Sequence, residues 1–243
     1  MKAAEQLANV SARLAWENVD KALRYRDEMR KQADAQPQTR PSRAAARRAL
    51  VDAEKRLREA SGTGQRLIQR SLALLHKLRA VEQTMERESL VGSAYKRRAL
   101  VESVAGNRRR VEQALRQMKA SYERARAIGR RSGERDLFYP ASNCLVADVA
   151  SNAGRRGWRL DRENLEVVRQ SLQAKRGGGD EDFWSVVGAI EVRQYGALAG
   201  KRLTSQRRPL EKAYQDLHRR VRATRMWASV YDTAYLVLRN YGD

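Results

Sequence analysis

Two residue types in this chain could carry nucleophilic chemistry, and the context of each argues against that role. Cys144 is the only cysteine, and His76 precedes it by 68 residues, the chain order used by one class of cysteine protease. The segment around Cys144, SNCLVAD, lacks the glutamine, alanine and glycine of that nucleophile motif. Because Cys144 stands in an apolar run, we expect its thiol to be buried in the core. Since the nucleophile motif is also missing, we expect that the protein is not an enzyme.

The candidates for metal or phosphate binding are also incomplete. One cysteine and two histidines, His76 and His218, do not supply the ligands of a closed zinc site. The segment Gly196–Lys201 has three residues between its glycines where a phosphate-binding loop has four, and no serine or threonine follows the lysine. We therefore expect no catalytic residue, no metal and no cofactor, and we interpret Gly196–Lys201 as a helix end.

Basic residues are the strongest chemical signal. Lys and Arg number 50 against 29 Asp and Glu, which gives a formal net charge of +21 that attracts polyanions. Arg108, Arg109 and Arg110 stand at the start of a predicted helix, where the helix dipole disfavours positive charge. A second basic cluster consists of Arg207, Arg208, Arg219, Arg220 and Arg222. A solvated surface with local partners such as Glu112 and Glu211 explains both clusters, and an external anionic partner is the alternative.

The composition predicts an all-α protein. Good helix formers dominate, prolines number four, and segments with the period-2 alternation of strands are missing. We expect about nine or ten helices. The first seven span residues 2–35, 43–60, 65–81, 85–104, 108–130, 140–150 and 161–175. Three more begin at residues 180, 209 and 224, and they include residues up to at least 195, at least 221 and about 240, respectively.

The breaks between these helices predict the domain organisation. The first two helices form a long hairpin, residues 1–61, which ends at the break Ser61–Gly64. Residues 62–243 form a helical-repeat domain, with a flexible break near 177–180, where three glycines occur together. In the first helix the helical spacing predicts one buried stripe, Leu7, Val10, Leu14, Val19, Leu23 and Met29.

Small and large residues alternate at helical spacing in two places. Between Met85 and Gly129 the positions are Leu90, Val91, Gly92 and Tyr95, followed by Met118, Tyr122 and Ala125. Later in the chain they are Trp184, Val187 and Gly188, followed by Leu210, Tyr214 and Leu217. These positions match the W-x2-L-G-x2-Y helix and the partner helix of a tetratricopeptide repeat. Met118 comes 26 positions after Gly92, where that repeat has about a dozen, so the helices or turns are longer than usual.

Taken together, the chain resembles the tetratricopeptide-like helical region of large bacterial signalling and defence proteins. The stretches that carry the resemblance are EQLANVSARLAWENVDKAL, MERESLVGSAYKRRAL, DLFYPASNCLVADVA and DFWSVVGAIEVRQY. The resemblance implies antiparallel helical hairpins stacked as an α-solenoid, used as a sensor or docking module beside an effector such as a caspase-like protease or a TIR domain. No such effector is evident, so we expect either a domain of a longer protein or a stand-alone adaptor.

The predicted function is a protein-interaction scaffold that binds a peptide or partner domain on a basic concave surface. The candidate binding residues are Tyr95, Arg98, Lys119 and Arg126 together with Arg108–Arg110, whereas Met118 and Tyr122 are expected in the core. The alternative is a basic nucleic-acid-binding protein, although aromatic and basic residues do not alternate as in such proteins. The single cysteine and the lack of a signal peptide or a membrane span predict a cytoplasmic protein, and the oligomeric state stays open.

Overall fold

The computed structural model describes residues 1–35, 40–134, 136–152, 155, 157–179 and 181–239, without the side chains of residues 40–42. Within these ranges the chain forms nine α-helices and no strand, so the predicted all-α fold of helical hairpins is confirmed. The helices are α1 (Lys2–Ala35), α2 (Arg40–Val81), α3 (Met85–Val104), α4 (Arg108–Arg131), α5 (Phe138–Asn152), α6 (Arg162–Gly177), α7 (Phe183–Ala199), α8 (Leu203–Arg220) and α9 (Thr224–Arg239). None of them is long and apolar enough to cross a membrane.

The chain divides into two compact units. Unit 1 contains Met1–Glu82 and Ser93–Ala114, and unit 2 contains Gln83–Gly92 and Leu115–Asp243. Unit 1 therefore contains the end of α3 and the start of α4, and unit 2 contains the start of α3 and most of α4.

In unit 1, α1 packs along α2, with the bounds of α1 as predicted. The predicted buried stripe of α1 is wrong in its first half, because Leu7 and Leu14 are 62% and 45% exposed. The buried face there is made instead by Trp16 and by alanines, Ala8, Ala12 and Ala15. Alanines let the backbones of two helices approach closely, and this close approach outweighs the burial of the larger leucines.

The predicted break at Ser61–Gly64 is also wrong, because α2 runs through it without interruption. A Cβ atom at Gly64 would lie 3.2 Å from the carbonyl oxygen of Ala15 and 3.1 Å from Val19. The glycine therefore serves the close contact with α1, and this packing offsets the roughly 1 kcal/mol that glycine costs inside a helix. Residues 36–39 of the predicted loop lie outside the described residues, and the domain boundary at residues 61 and 62 stays a prediction.

Helices α3 and α4 form an antiparallel hairpin. In unit 2, Gly92 of α3 lies against the ring of Tyr122 of α4, and Arg124 donates a hydrogen bond of 2.9 Å to the buried Glu88. At the turn, in unit 1, Asn107 donates to Glu102 at 2.8 Å. Gly106 has a φ of +75° in this turn, a conformation that favours glycine.

The rest of unit 2 is built around α5, which is buried along most of its length and packs against α6, α7 and α9. The predicted helix start at Pro209 is wrong, because α8 begins at Leu203 and contains Pro209. Pro209 has no backbone N–H to donate within the helix. Because Pro209 is exposed, water can hydrogen-bond to the carbonyl group that lacks this donor. Leu203 packs against the apolar cluster of α7 and α8, and Leu210 is buried in it, which keeps the first turns of α8 helical.

Candidate functional site

The structure makes Cys144 a core residue. The side chain is 0% exposed, and burial raises the pKa of its thiol to about 12. A nucleophilic cysteine needs a thiolate near neutral pH, which this thiol does not form. His76, the second residue that a cysteine protease would need, instead makes a hydrogen bond of 3.3 Å between its Nε2 atom and the hydroxyl of Tyr95. Within the described ranges, no three His, Cys, Asp or Glu side chains are grouped so that they could hold a metal ion.

The interpretation of Gly196–Lys201 as a helix end is confirmed. Helix α7 ends at Ala199, and the amide of Gly200 caps it by donating to the carbonyl of Gly196 at 3.0 Å. The amide of Arg202 closes the turn with a bond of 2.8 Å to the carbonyl of Ala197. A phosphate-binding loop instead connects a strand to the start of a helix, so this segment does not cradle phosphate with its backbone.

Two of the candidate binding residues, Lys119 and Arg126, are engaged inside unit 2. The Nζ atom of Lys119 lies 2.7 Å from Asp148, and the guanidinium of Arg126 lies 3.1 Å from Glu163 and donates to Asn164 at 2.8 Å. These bonds tie α4 to α5 and α6. That Lys119 and Arg126 bind a partner stays a prediction. An anionic ligand would have to compete with Asp148 and Glu163 for these two side chains.

The pKa values of the Lys119–Asp148 pair show opposing effects of burial and of the partner's charge. Burial lowers the pKa of Lys119, but the hydrogen bond and charge of Asp148 outweigh it, so that this pKa lies above its ordinary value. Burial also raises the pKa of Asp148 above its ordinary value, against the opposing effect of Lys119. The ion pair therefore stabilises the charged form of Lys119. For Asp148, the free energy of removing the carboxylate from water is larger than the stabilisation by Lys119, as in other partly buried ion pairs.

The two predicted basic clusters contain both paired and unpaired arginines. Arg108 and Arg110 at the start of α4 lie 3.2 Å from Glu112 and 3.8 Å from Glu102, respectively, whereas Arg109 is exposed without such a partner in the described part of the chain. On α8, Arg207 pairs with Glu211 at 2.7 Å and Arg219 with Asp216 at 3.3 Å. The exposed arginines of this cluster that make no ion pair with a described residue are Arg208, Arg220 and Arg222.

The remaining candidates, Tyr95 and Arg98, lie on α3 where it packs against α2 in unit 1. Tyr95 contacts His76, and Glu102 accepts a hydrogen bond of 3.0 Å from Gln65, so the two helices run antiparallel and Arg98 lies between these two contacts. By this register, Arg98 is level with the turn of α2 that contains Arg70.

Sequence reasoning missed two cations of this region, Arg70 and Lys77, which are exposed on α2. They are seven residues apart, a spacing that places them on one helix face and that could have revealed them. Arg70, Lys77 and Arg98 make no ion pair with any residue that the structure describes. These three residues and Tyr95 lie at similar levels along α2 and α3, and we name them the α2–α3 cationic surface for the proposal that they act together.

The all-α fold of helical hairpins and the Gly92–Tyr122 contact are typical of a helical-repeat protein of the tetratricopeptide class. Residues 18–148 match the model of the Tetratricopeptide Repeats-Sensor family, TPR-S, and the chain belongs to this family. The comparisons with curated proteins and with solved structures give no match. The matched segment contains the α2–α3 cationic surface and the α3–α4 hairpin, and it ends within α5.

Proposed function

We propose that this chain is a non-enzymatic interaction module of a bacterial signalling or defence system, which binds an acidic peptide or partner domain through the α2–α3 cationic surface. The observation that carries the proposal is the lack of a described carboxylate partner for Arg70, Lys77 and Arg98. Membership of the sensor family supports a recognition role. The cytoplasm is the compartment in which we expect the module to act.

The distribution of ion pairs supports this choice of surface. Two other candidate cations, Lys119 and Arg126, are paired with carboxylates of the chain itself, so they are less available to a partner than Arg70, Lys77 and Arg98. An exposed ion pair contributes only about 0.2–1 kcal/mol, so a partner must engage several cations together to bind well. The half-buried ring of Tyr95 adds an apolar contact beside these charges, as aromatic residues do in protein interfaces.

The second candidate function is nucleic-acid binding, which the net charge of +21 and the exposed Arg109, Arg208, Arg220 and Arg222 favour. Binding of this kind releases counterions from each phosphate that the protein neutralises. The logarithm of the affinity therefore falls steeply and linearly with the logarithm of the salt concentration. A peptide that contacts one local surface shows a weaker dependence on salt and a stronger dependence on the residues of that surface.

Reversing two charges of the surface tests the proposal. The double variant Arg70→Glu/Arg98→Glu is expected to weaken the binding of an acidic peptide about tenfold or more, because two attractive contacts become repulsive. The measurement is the fluorescence anisotropy of labelled 15-residue peptides rich in Asp and Glu, at fixed salt, with circular dichroism to verify the helical fold.

The matched control is Arg58→Glu/Arg169→Glu, which makes the same change in net charge at two exposed arginines outside the surface. Equal losses in both double variants would mean that only net charge matters, and would overturn the assignment of this surface. Tight, salt-sensitive binding of a 20-nucleotide RNA without binding of any acidic peptide would favour the second candidate function instead.

A further inference from the structure

Unit 2 contains a cavity of about 720 Å³ that none of the candidate binding residues line. Its wall is made by the segment before α6, by the first turn of α6 and by the end of α7. The lining residues that bear on its chemistry are Arg155, Trp158, Arg159, Arg162, Gly196 and Lys201. The volume lies within the range of roughly 300–1,000 Å³ that is usual for small-molecule sites.

The lining carries four positive charges and no carboxylate of the described residues. Arg159, Arg162 and Lys201 make no ion pair with any residue that the structure describes, and the guanidinium of Arg155 donates to the side-chain amide oxygen of Asn152 at 3.4 Å. Further along α6, by contrast, Lys175 lies 3.1 Å from Asp136 and 3.4 Å from Asp182. All four side chains are exposed and line one space without a counter-charge, so an anion of more than one charge could contact several of them together.

Lys201 adds a second, independent observation. It has a φ of +51° and is the sole non-glycine residue with positive φ in the described ranges, whereas glycines occupy the other such positions. It follows the Gly200 cap at the end of α7, a place where glycine is the usual residue because a side chain is strained there. The local fold would therefore be more stable with glycine, and the ammonium on the cavity wall is what the lysine supplies.

Trp158 gives the cavity a planar apolar element. The side chain is half-buried and lines the same space as the four cations. An indole ring stacks on nucleobases and other flat rings, with a contribution of about 1–3 kcal/mol for each base. A ligand that combined an anionic group with such a ring would use both parts of the lining.

We propose that this cavity binds a small molecule that carries two or more phosphates and a planar aromatic ring, the chemistry of a nucleotide. The phosphates contact Arg159, Arg162 and Lys201, and the ring stacks on Trp158. The cavity lies beyond residues 18–148, so it is separate from the segment matched by the family, and it does not depend on the α2–α3 cationic surface. A module with both sites would bind a partner and a nucleotide on different units.

Isothermal titration calorimetry of the full chain with ATP, inorganic tripolyphosphate and adenosine, without divalent cations, tests the proposal. We expect ATP to bind most tightly, tripolyphosphate more weakly and adenosine most weakly. No detectable binding of ATP at millimolar concentration in 100 mM salt would overturn the proposal. So would a Trp158→Leu variant that loses none of the preference for ATP over tripolyphosphate.

A cavity-filling variant locates the site. A Cβ atom at Gly196 would meet nothing within 4 Å, so Gly196→Leu is expected to fold and to reduce ATP affinity at least tenfold. Gly177→Leu is the matched control, because a Cβ atom there also meets nothing within 4 Å and Gly177 lies outside the cavity. Equal ATP affinities of these two variants would overturn the proposed location.

Charge variants separate the cavity from the general basic surface. Arg159→Gln/Arg162→Gln is expected to weaken ATP at least tenfold, against little change for Arg58→Gln/Arg169→Gln, which alters net charge equally. Lys201→Gly is expected to raise the thermal midpoint while it weakens ATP. Equal effects of the two double variants would overturn the proposal. So would a 20-nucleotide RNA that binds far more tightly than ATP and is unaffected by Gly196→Leu.

Discussion

Gly92→Ala is expected to lower the free energy of unfolding by about 2–3 kcal/mol, although alanine favours helix over glycine by about 1 kcal/mol. A Cβ atom at Gly92 would lie 2.6, 2.8 and 2.9 Å from three ring atoms of Tyr122. Real Cβ atoms do not approach a ring so closely, so one of the two groups must move. Tyr122 is 0% exposed and packs edge-on against Tyr139, with ring centroids 5.9 Å apart, so its ring has little room to retreat.

Chemical denaturation followed by circular dichroism measures this effect. Gly196→Ala is the matched control, because the same substitution at an open position inside α7 is expected to raise the free energy of unfolding by about 0.5–1 kcal/mol. The two variants should therefore differ in sign. A stability of Gly92→Ala equal to or above that of the parent chain would show that α3 and α4 are not in direct contact at Gly92.

The Gly92–Tyr122 contact is also the part of the fold that the sequence predicted best. Small and large residues at helical spacing predicted which positions of α3 and α4 face each other, and Met118 and Tyr122 are both buried as expected. The prediction succeeded because the two helices are adjacent in sequence and joined by a short turn. A hairpin of this kind leaves few other faces for the apolar residues to cover.

The same pattern misleads in the later repeat. The predicted counterpart of Gly92 is Gly188, but its hypothetical Cβ atom lies 3.6 Å from Phe138 of α5. Tyr214, the counterpart of Tyr122, donates a hydrogen bond of 2.6 Å to Gln194. A local motif specifies that a close helix contact forms, but the helix that makes it depends on tertiary packing that spacing does not encode. The family match agrees, since it ends before this repeat.

Local charge partners were predictable, and distant ones were not. The partners expected for the basic clusters, Glu112 and Glu211, are confirmed, because residues four apart on a helix are neighbours. Lys119, by contrast, lies 3.8 Å from its local partner Glu123 but makes its shorter contact, 2.7 Å, with Asp148, 29 residues away on another helix. Which cations remain unpaired is therefore a property of the fold, and for this reason the α2–α3 cationic surface and the basic cavity could be defined only from the structure.

Glu102→Ala is expected to lower the free energy of unfolding by about 3 kcal/mol, because it leaves several polar groups without their acceptor. Glu102 is 2% exposed and accepts hydrogen bonds of 3.0 Å from Gln65 and 2.8 Å from Asn107, while Arg110 lies 3.8 Å away. The carboxylate therefore joins α2, the end of α3 and the start of α4 within unit 1. A buried donor that loses its acceptor costs about 1–3 kcal/mol.

The matched control is Glu112→Ala, which removes a carboxylate that is 45% exposed and, among the described residues, pairs with Arg108. Exposed helix pairs contribute about 0.3–0.5 kcal/mol, so this variant should change stability little. Glu102→Gln keeps the size and one acceptor, and its stability should lie between that of Glu102→Ala and the parent chain. Equal stabilities of the Glu102→Ala and Glu112→Ala variants would contradict the prediction. They would mean that the hydrogen bonds of the buried Glu102 carboxylate do not stabilise the α3–α4 turn.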